Sequence, residues 1–330
     1  MTPADYFTVY SAEAPPGQPP AGPRQPLAFT SFLYLEPAHQ ALQAVARPVL
    51  SFYLEDDTRT VAQLFVVPDF DQPGQANSPA QAPFGGVQLA PGVPAAALHR
   101  LLDYAETTLR QRGQQALHIK GYPFCYDPAG AAALAEVLRQ RGYAVALAEQ
   151  NFYLDPQRPY EAHLHPSERR RLLKCRRLGL RFEQEPPYLL PAAYEFIAAC
   201  RQERGQALSL PLARVEALFR AFPRQHLLFS VRKPGGEWAA LTVAIQVSPQ
   251  VLYNFYPASP LAENRLSPAV LLHEGLHTYA HASGLTTVDL GTSTLPSGGP
   301  NAPLLRFKRH LGGVAGLKLT WRKELASSGK

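Results

Sequence analysis

The sequence predicts a mixed α/β (α+β) protein of two halves, each a central mixed sheet flanked by helices. Three observations predict this. β-prone runs alternate with helical-period segments, the same order of elements occurs twice, and 330 residues exceed what one hydrophobic core usually organises. The expected organisation is a proline-rich segment over 1–26, a first half over 27–160 and a second half over 161–330.

In the first half, Pro48 to Leu54 and Thr60 to Val67 are β-prone runs separated by the acidic turn Glu55-Asp56-Asp57, and they read as an antiparallel hairpin. Pro68 to Pro83, rich in Pro, Gly, Asn and Ser, reads as a loop. Leu98, Leu101, Leu102, Ala105 and Leu109 fall at helical spacing and predict a helix from about Pro94 to Arg112, stopped by Gly113. A strand at Leu117 to Lys120, a helix opened by Asp127 or Pro128 and ended by Gly142, and a strand at Tyr143 to Leu147 complete this half.

The second half repeats that order. Strands are predicted at Leu227 to Val231, Trp238 to Val247 and Val251 to Phe255, then a helix from Ser267 or Pro268 to about His281, then Gly284 and a strand at Thr286 to Leu290. The strand after each of these helices runs into a loop with a proline, Pro123 in one half and Pro296 in the other, so the halves read as a diverged duplication. Between them Pro166 to Leu180 forms a helix that Ser167 can cap and Gly179 can end. Its arginines and lysine suit either a solvated face or the phosphates of a cofactor or RNA.

Composition narrows the function classes. Hydrophobic residues make up 46% and charged residues 18%, and no apolar run approaches the ~18 residues a membrane span needs. Residues 1–25 lack the basic start and apolar centre of a signal peptide, which predicts a cytoplasmic protein. Cys125, Cys175 and Cys200 lie far apart without a CxxC pair and read as reduced, buried thiols. The net charge of +6 suits anionic partners. With no Gly-x-Ser-x-Gly elbow, P-loop or Rossmann glycine pattern, ordinary hydrolases, nucleotide-dependent enzymes and dinucleotide enzymes lose their support.

The basic helix ending in Gly179-Leu180, the run Gly284 to Ser293 containing Asp289-Leu290-Gly291, and Phe307-Lys308-Arg309-His310-Leu311-Gly312-Gly313 together resemble the FemAB-like acyltransferases, tandem members of the GNAT superfamily, over roughly residues 45–325. The resemblance implies two GNAT-like halves with the donor site in the second. It implies an acyl donor lying where the strands around Tyr253-Asn254-Phe255 and Val288-Asp289-Leu290 splay apart, so that unpaired backbone groups hold the donor's amides and polarise its carbonyl. The donor is expected to be acyl-CoA, acetyl-CoA first, used as a cosubstrate with no cofactor held tightly; aminoacyl-tRNA is the other candidate. The donor-binding residues it implies are Tyr253, Asn254, Phe255, Asn264, Arg265, Leu266, Ser267, Gly291, Ser293 and Lys308.

The loop Ala262 to Pro268 stands where the superfamily's glycine-rich phosphate loop would be and contains no glycine. Arg265 is expected to supply charge and Ser267 to cap the helix that Pro268 opens. Candidate bases are Asp289, His273 and Glu274, and candidate acids are Tyr253 and Tyr256. The acceptor is expected to be an amine on a small molecule or peptide, with tRNA as a candidate partner and a monomer or homodimer as the assembly. A transferase acting on cell-wall precursors from aminoacyl-tRNA and a non-catalytic binding module are the alternatives.

One motif argues for something else. His273-Glu274-Gly275-Leu276-His277 is a formal HExxH, the spacing by which zinc hydrolases present two imidazoles on one helical face. The sequence offers no good third ligand, since no Glu lies between Glu274 and Glu324, Ser283 stands where a metzincin has its third histidine, and His281 lies two turns from His273, leaving Asp289. The expectation is therefore no metal, with a zinc hydrolase kept as a minor alternative.

Overall fold

The computed structural model describes residues 6–295 and 298–325, and the chain divides into two compact units, residues 1–149 with 317–330 and residues 150–316. Pro296 and the first five residues of the proline-rich segment lie outside the described residues. Among the described residues no helix is long and apolar enough to cross a membrane.

The first unit runs β1 (Thr8–Ala14), α1 (Pro37–Gln43), β2 (Val49–Glu55), β3 (Thr60–Pro68), β4 (Gln75–Ser78), β5 (Gln88–Leu89), α2 (Ala95–Gln111), β6 (Ala116–Lys120), α3 (Pro128–Gln140) and the start of β7 (Ala144–Leu154). The C-terminal strand, Val314–Glu324, returns to this unit from residue 317 onward. Its sheet has the order β1, β2, β3, β4, β6, C-terminal strand, with β5 beside β3. Among its described strands the parallel pair is β4 with β6, with Gln75 opposite Ala116 and Ser78 opposite Ile119. α2 bridges them and buries Leu98, Leu101, Leu102, Ala105 and Leu109, the stripe that its sequence period predicts.

The stretch Pro68 to Pro83 is not loop throughout, because Gln75–Ser78 is β4. Its four residues are Gln-Ala-Asn-Ser, so neither β propensity nor alternation marks them, and pairing with β3 and β6 makes the strand. The proline-rich segment also contributes a strand: β1 pairs along its whole length with β2, from Thr8 opposite Glu55 to Ala14 opposite Val49.

The second unit takes the end of β7 and continues through α4 (Tyr160–His163), α5 (Pro166–Arg177), β8 (Arg181–Glu185), α6 (Leu190–Gln202), α7 (Leu212–Ala221), β9 (His226–Arg232), β10 (Trp238–Ser248), β11 (Val251–Asn254), α8 (Pro268–Ala282), β12 (Thr287–Thr292) and α9 (Ala302–His310). Its strand order is β7, β12, β11, β10, β9, β8. Again one pair is parallel, β11 with β12, and one helix, α8, bridges it. α8 is buried on most sides, with Val270, Leu271, Leu272, Leu276 and Ala280 in the core. It lies so close to β8 that a Cβ at Gly275 would stand 2.0 Å from the Phe182 ring, which is itself stacked on Phe229.

Candidate functional site

The β11–β12 ladder runs Val251–Thr287, Leu252–Val288, Tyr253–Asp289 and ends there. Beyond that point the N–H groups of Phe255 and Tyr256 donate to Val243 O on β10, drawing the chain after β11 away, while β12 continues to Thr292. The two parallel neighbours therefore part after Tyr253 and Asp289, the strands between which the resemblance implies a gap. Beside the gap lies a cavity of about 570 Å³, lined by residues of α5, α6, α8, α9, the end of β11 and the loop that follows it.

Four cations line this cavity, Arg171, Arg201, Arg204 and Lys308, and among the described residues no Asp or Glu lines it. Lys308 projects from α9, is 5% exposed, and spends two of its three N–H donors on Gly291 O (2.8 Å) and Thr292 O (2.7 Å). Burial disfavours its charged form and lowers its pKa to about 8, against the opposing pull of Asp289. Gly291 has φ +72°, and a Cβ there would also meet the Tyr253 ring at 3.3 Å, so the bend that offers its carbonyl to Lys308 requires glycine.

His273 also lines the cavity. Its Nδ1 lies 2.6 Å from Ala269 O, and a carbonyl can only accept, so the proton is assigned to Nδ1. Nε2 then accepts from Asn254 Nδ2 at 3.2 Å, and Asn254 Oδ1 accepts from Thr242 Oγ1 at 2.7 Å. Burial lowers the His273 pKa to about 4, with the Lys308 charge acting in the same direction, so the ring is neutral at pH 7. Its one lone pair is engaged by Asn254, which makes it a positioning group rather than a poised base.

The other candidates are placed elsewhere. Val288 and Leu290 belong to the core, and strand alternation sends Asp289 to the opposite face, where Oδ1 accepts from Asn151 Nδ2 (3.0 Å) and Gly291 N (2.7 Å). Neither Asp289 nor Tyr253 lines the cavity. Glu274 pairs with Arg176, which also holds Glu161 at 2.8 Å; burial raises the Glu274 pKa despite Arg176. Tyr256 accepts from Leu210 N at 3.2 Å and lies 2.6 Å from Ser209 Oγ. Of the five acid–base candidates, His273 lines the cavity and Asp289, Glu274, Tyr253 and Tyr256 do not.

Among the donor-binding candidates, Asn254, Asn264, Ser267 and Lys308 line the cavity, and Gly291 reaches it through Lys308; Phe255 stacks on Tyr256, and Ser293 is buried. Arg265 and Leu266 offer their carbonyls to α5, to Lys174 Nζ and Cys175 Sγ. Ser267 occupies the N-cap position but does not cap: at φ 56° and ψ 54° it is left-handed, and its side chain makes no capping bond. An N-cap serine needs an extended backbone to turn its hydroxyl onto the first-turn amides.

The HExxH histidines face different surroundings. His277 Nε2 lies 2.9 Å from Arg158 O and borders a separate cavity of about 50 Å³, not the large one. No group of three potential ligands forms among the described residues. Cys175 and Cys200 are buried, Cys125 is half-buried, and burial pushes the thiols of Cys175 and Cys200 up to about 11.

Arg171 comes from the basic helix that the sequence offered to phosphates, whereas Arg201 and Arg204 were missed as lining residues. The signal for these two was the apolar spacing Leu190, Ala193, Ile197, Cys200, which marks α6 and places Arg201 in its last turn and Arg204 just beyond it.

The corresponding gap in the first unit is filled by its own chain. Beyond Ser78 and Ile119, Gly85 N donates to Lys120 O at 2.8 Å and Gly86 N donates to Ser78 Oγ at 2.9 Å. A Cβ on Gly85 would come within 2.6 Å of Pro79 N, so only glycine passes there.

A family model described as an acetyltransferase (GNAT) domain matches residues 166–309. No curated protein matches the chain. Among solved structures, FemX superposes with a TM-score of 0.63 at 13% identity, covering 83% of this chain and 87% of its own. The C-terminal domain of a putative lysylphosphatidylglycerol synthetase from Agrobacterium fabrum gives 0.53 at 14% identity over 79% and 80% of the two chains. The L-PGS structure from Bacillus licheniformis gives 0.54 at 12% identity over 89% and 88%. These likenesses establish a shared fold, and the domain match covers residues 166–309. Over residues 166–309 the chain matches a GNAT acetyltransferase domain, and its fold is that of FemX.

Proposed function

We propose that the second unit transfers an acyl group from acyl-CoA, acetyl-CoA first, to an amine acceptor. The observation that carries this reading is the cation-lined cavity beside the parted β11 and β12, with Lys308 held inside it by two backbone carbonyls. A donor carbonyl directed at Lys308 Nζ would meet its third N–H. As the amine attacks and the carbonyl oxygen becomes an oxyanion, that N–H and its charge stabilise it more than they stabilise the neutral ground state. Asn254 and His273 fix another part of the wall through the chain Thr242, Asn254, His273, Ala269, and Phe307 packs edge-on against the His273 ring at 5.9 Å. The closed gap in the first unit supports a single donor site per chain.

A second reading keeps the fold and changes the donor to an aminoacyl ester of tRNA. The glycine-free loop over 262–268 favours it, since the usual phosphate cradle of a CoA site is missing, and the likeness to FemX and the lysylphosphatidylglycerol synthetases is consistent with it. Calorimetric titration with acetyl-CoA, followed by thiol release in the presence of an amine panel, tests the first reading. Transfer from charged tRNA tests the second. A protein that binds no CoA thioester and accepts nothing from charged tRNA is not an acyltransferase, and both readings fall together.

A further inference from the structure

The four cations of the cavity are not equivalent. Arg171 is neutralised by Glu168, which it chelates at 2.8 and 3.0 Å, and Arg204 has Glu203 at 3.8 Å. Arg201 has no carboxylate partner among the described residues. Its polar contact is Gln206 Oε1 at 3.1 Å, and its guanidinium lies 5.7 Å from the centre of the Tyr256 ring. That ring is immobilised: Leu210 N–H donates to the Tyr256 hydroxyl, and the hydroxyl and Ser209 Oγ are 2.6 Å apart. Arg201 is therefore a positioned, uncompensated fork of N–H donors on the wall of a cavity that no Asp or Glu lines among the described residues.

Much of the loop after β11 is already engaged. Leu261 N donates to Glu203 Oε2 at 2.7 Å, so a carboxylate already occupies the start of the Leu261–Arg265 turn. Glu263 N, Leu266 N and Ser267 N are spent on Pro260 O, Glu263 O and Glu263 O. Pro268 then brings no N–H to the first turn of α8.

We infer that Arg201, at the end of α6, anchors a phosphate of the acyl donor, performing with a guanidinium what a glycine-rich backbone loop would otherwise do. This rests on the acyl-transfer reading of the same cavity. A planar guanidinium matches two phosphate oxygens at once, while Lys308 presents a single point charge suited to one carbonyl oxygen. The two unpaired cations thus divide the ligand, phosphate at Arg201 and reacting carbonyl at Lys308. The phosphate belongs either to coenzyme A or to the 3′ end of an RNA.

The test is calorimetric binding of three probes to the wild-type chain and to Arg201→Ala: coenzyme A, pantetheine, which is the same thiol arm without phosphates, and a CCA trinucleotide. The expected result is that one phosphate-bearing probe binds and that R201A weakens it by about 10-fold or more, the cost of a lost charge-assisted hydrogen bond, while pantetheine changes by less than about twofold. Arg201→Lys, which keeps the charge and loses the fork, should fall between. Which probe binds identifies the phosphate's source. The inference is overturned if R201A weakens pantetheine as much as coenzyme A, if it leaves both phosphate-bearing probes unchanged, or if neither binds the wild type. A matching thermal midpoint in R201A excludes misfolding as the cause. Transfer is read separately: a chain that holds coenzyme A through Arg201 and releases no thiol keeps the anchor and loses the reaction, whereas transfer with an unchanged KM in R201A keeps the reaction and overturns the anchor.

Discussion

Replacing Lys308 with methionine tests catalysis and stability together, and the two should move in different ways. Loss of an oxyanion-stabilising donor costs about 10²- to 10³-fold in kcat, and with a single N–H directed at the carbonyl the same range is expected here. The stability effect follows from the pKa. In the unfolded chain Lys308 titrates near 10.5, and in the folded chain burial brings it to about 8. Between these values the unfolded chain binds a proton that the folded chain does not, so folding stability rises as pH climbs through this window. At about 1.4 kcal/mol per unit, charged Lys308 costs the fold about 3 kcal/mol at pH 7, and raising the pH to 10 recovers about 2–3 kcal/mol of it. In Lys308→Met that recovery disappears, while Gly291 O and Thr292 O lose their partner at about 1–3 kcal/mol each, so the two chains differ little in stability at pH 7. Urea denaturation of both chains at pH 7 and pH 10, with kcat measured by thiol release, gives the comparison. Equal pH slopes in the two chains, or a variant with unaltered kcat, would refute the account of Lys308.

His226 and His273 are both lowered by burial to about 4, so as pH falls from 6.5 toward 4 the unfolded chain gains protons first and each ring withdraws about 2–3 kcal/mol of stability; His226→Phe should flatten the loss between pH 7 and 4.5, and an unchanged slope in urea titrations counts against it. Glu106 is buried in the first unit and accepts from Arg141, Tyr143 and Lys323, and these bonds hold its pKa below the usual range despite burial. Glu106→Gln should cost about 3–5 kcal/mol in chemical denaturation, and a loss under about 1 kcal/mol would show that the cluster is solvated. Gly275→Ala forces a methyl group into the Phe182 ring and should destabilise by about 1–3 kcal/mol despite alanine's better helix propensity. Adding Phe182→Leu should restore part of this, and no recovery in the double variant contradicts the packing argument.

The elements were legible where one periodicity dominated. α2 buries the stripe its spacing announces, and α8 and β12 begin and end within a residue or two of the positions marked by Pro268, Gly284 and the apolar runs. β4 was hidden because a short polar strand owes its existence to its neighbours. In the site, the sequence located the gap between β11 and β12 but not which side chains enter the cavity. Asp289 and Leu290 are adjacent and equally well placed on a linear reading, yet a strand sends them to opposite faces. His273 and Glu274 are likewise adjacent, and about 100° of helical rotation separates the cavity from the Arg176 ion pair. Arg201 could not be weighed without knowing that Gln206 and Tyr256 hold it and that no carboxylate does.

The strand order also bears on the chain's first minutes. β6 is flanked by the C-terminal strand, with Lys120 opposite Thr320, a pairing across two hundred residues. Residues 150–316 form a unit that is continuous in sequence, whereas residues 1–149 share their unit with residues that follow it in the chain. During synthesis the part that carries the cavity can therefore mature as soon as it leaves the ribosome. The earlier part must wait with β6 unpaired on one side, an edge open to misassociation, until translation has passed residue 324. A nonsense change just after residue 316 would thus damage the unit of residues 1–149 and spare that of residues 150–316.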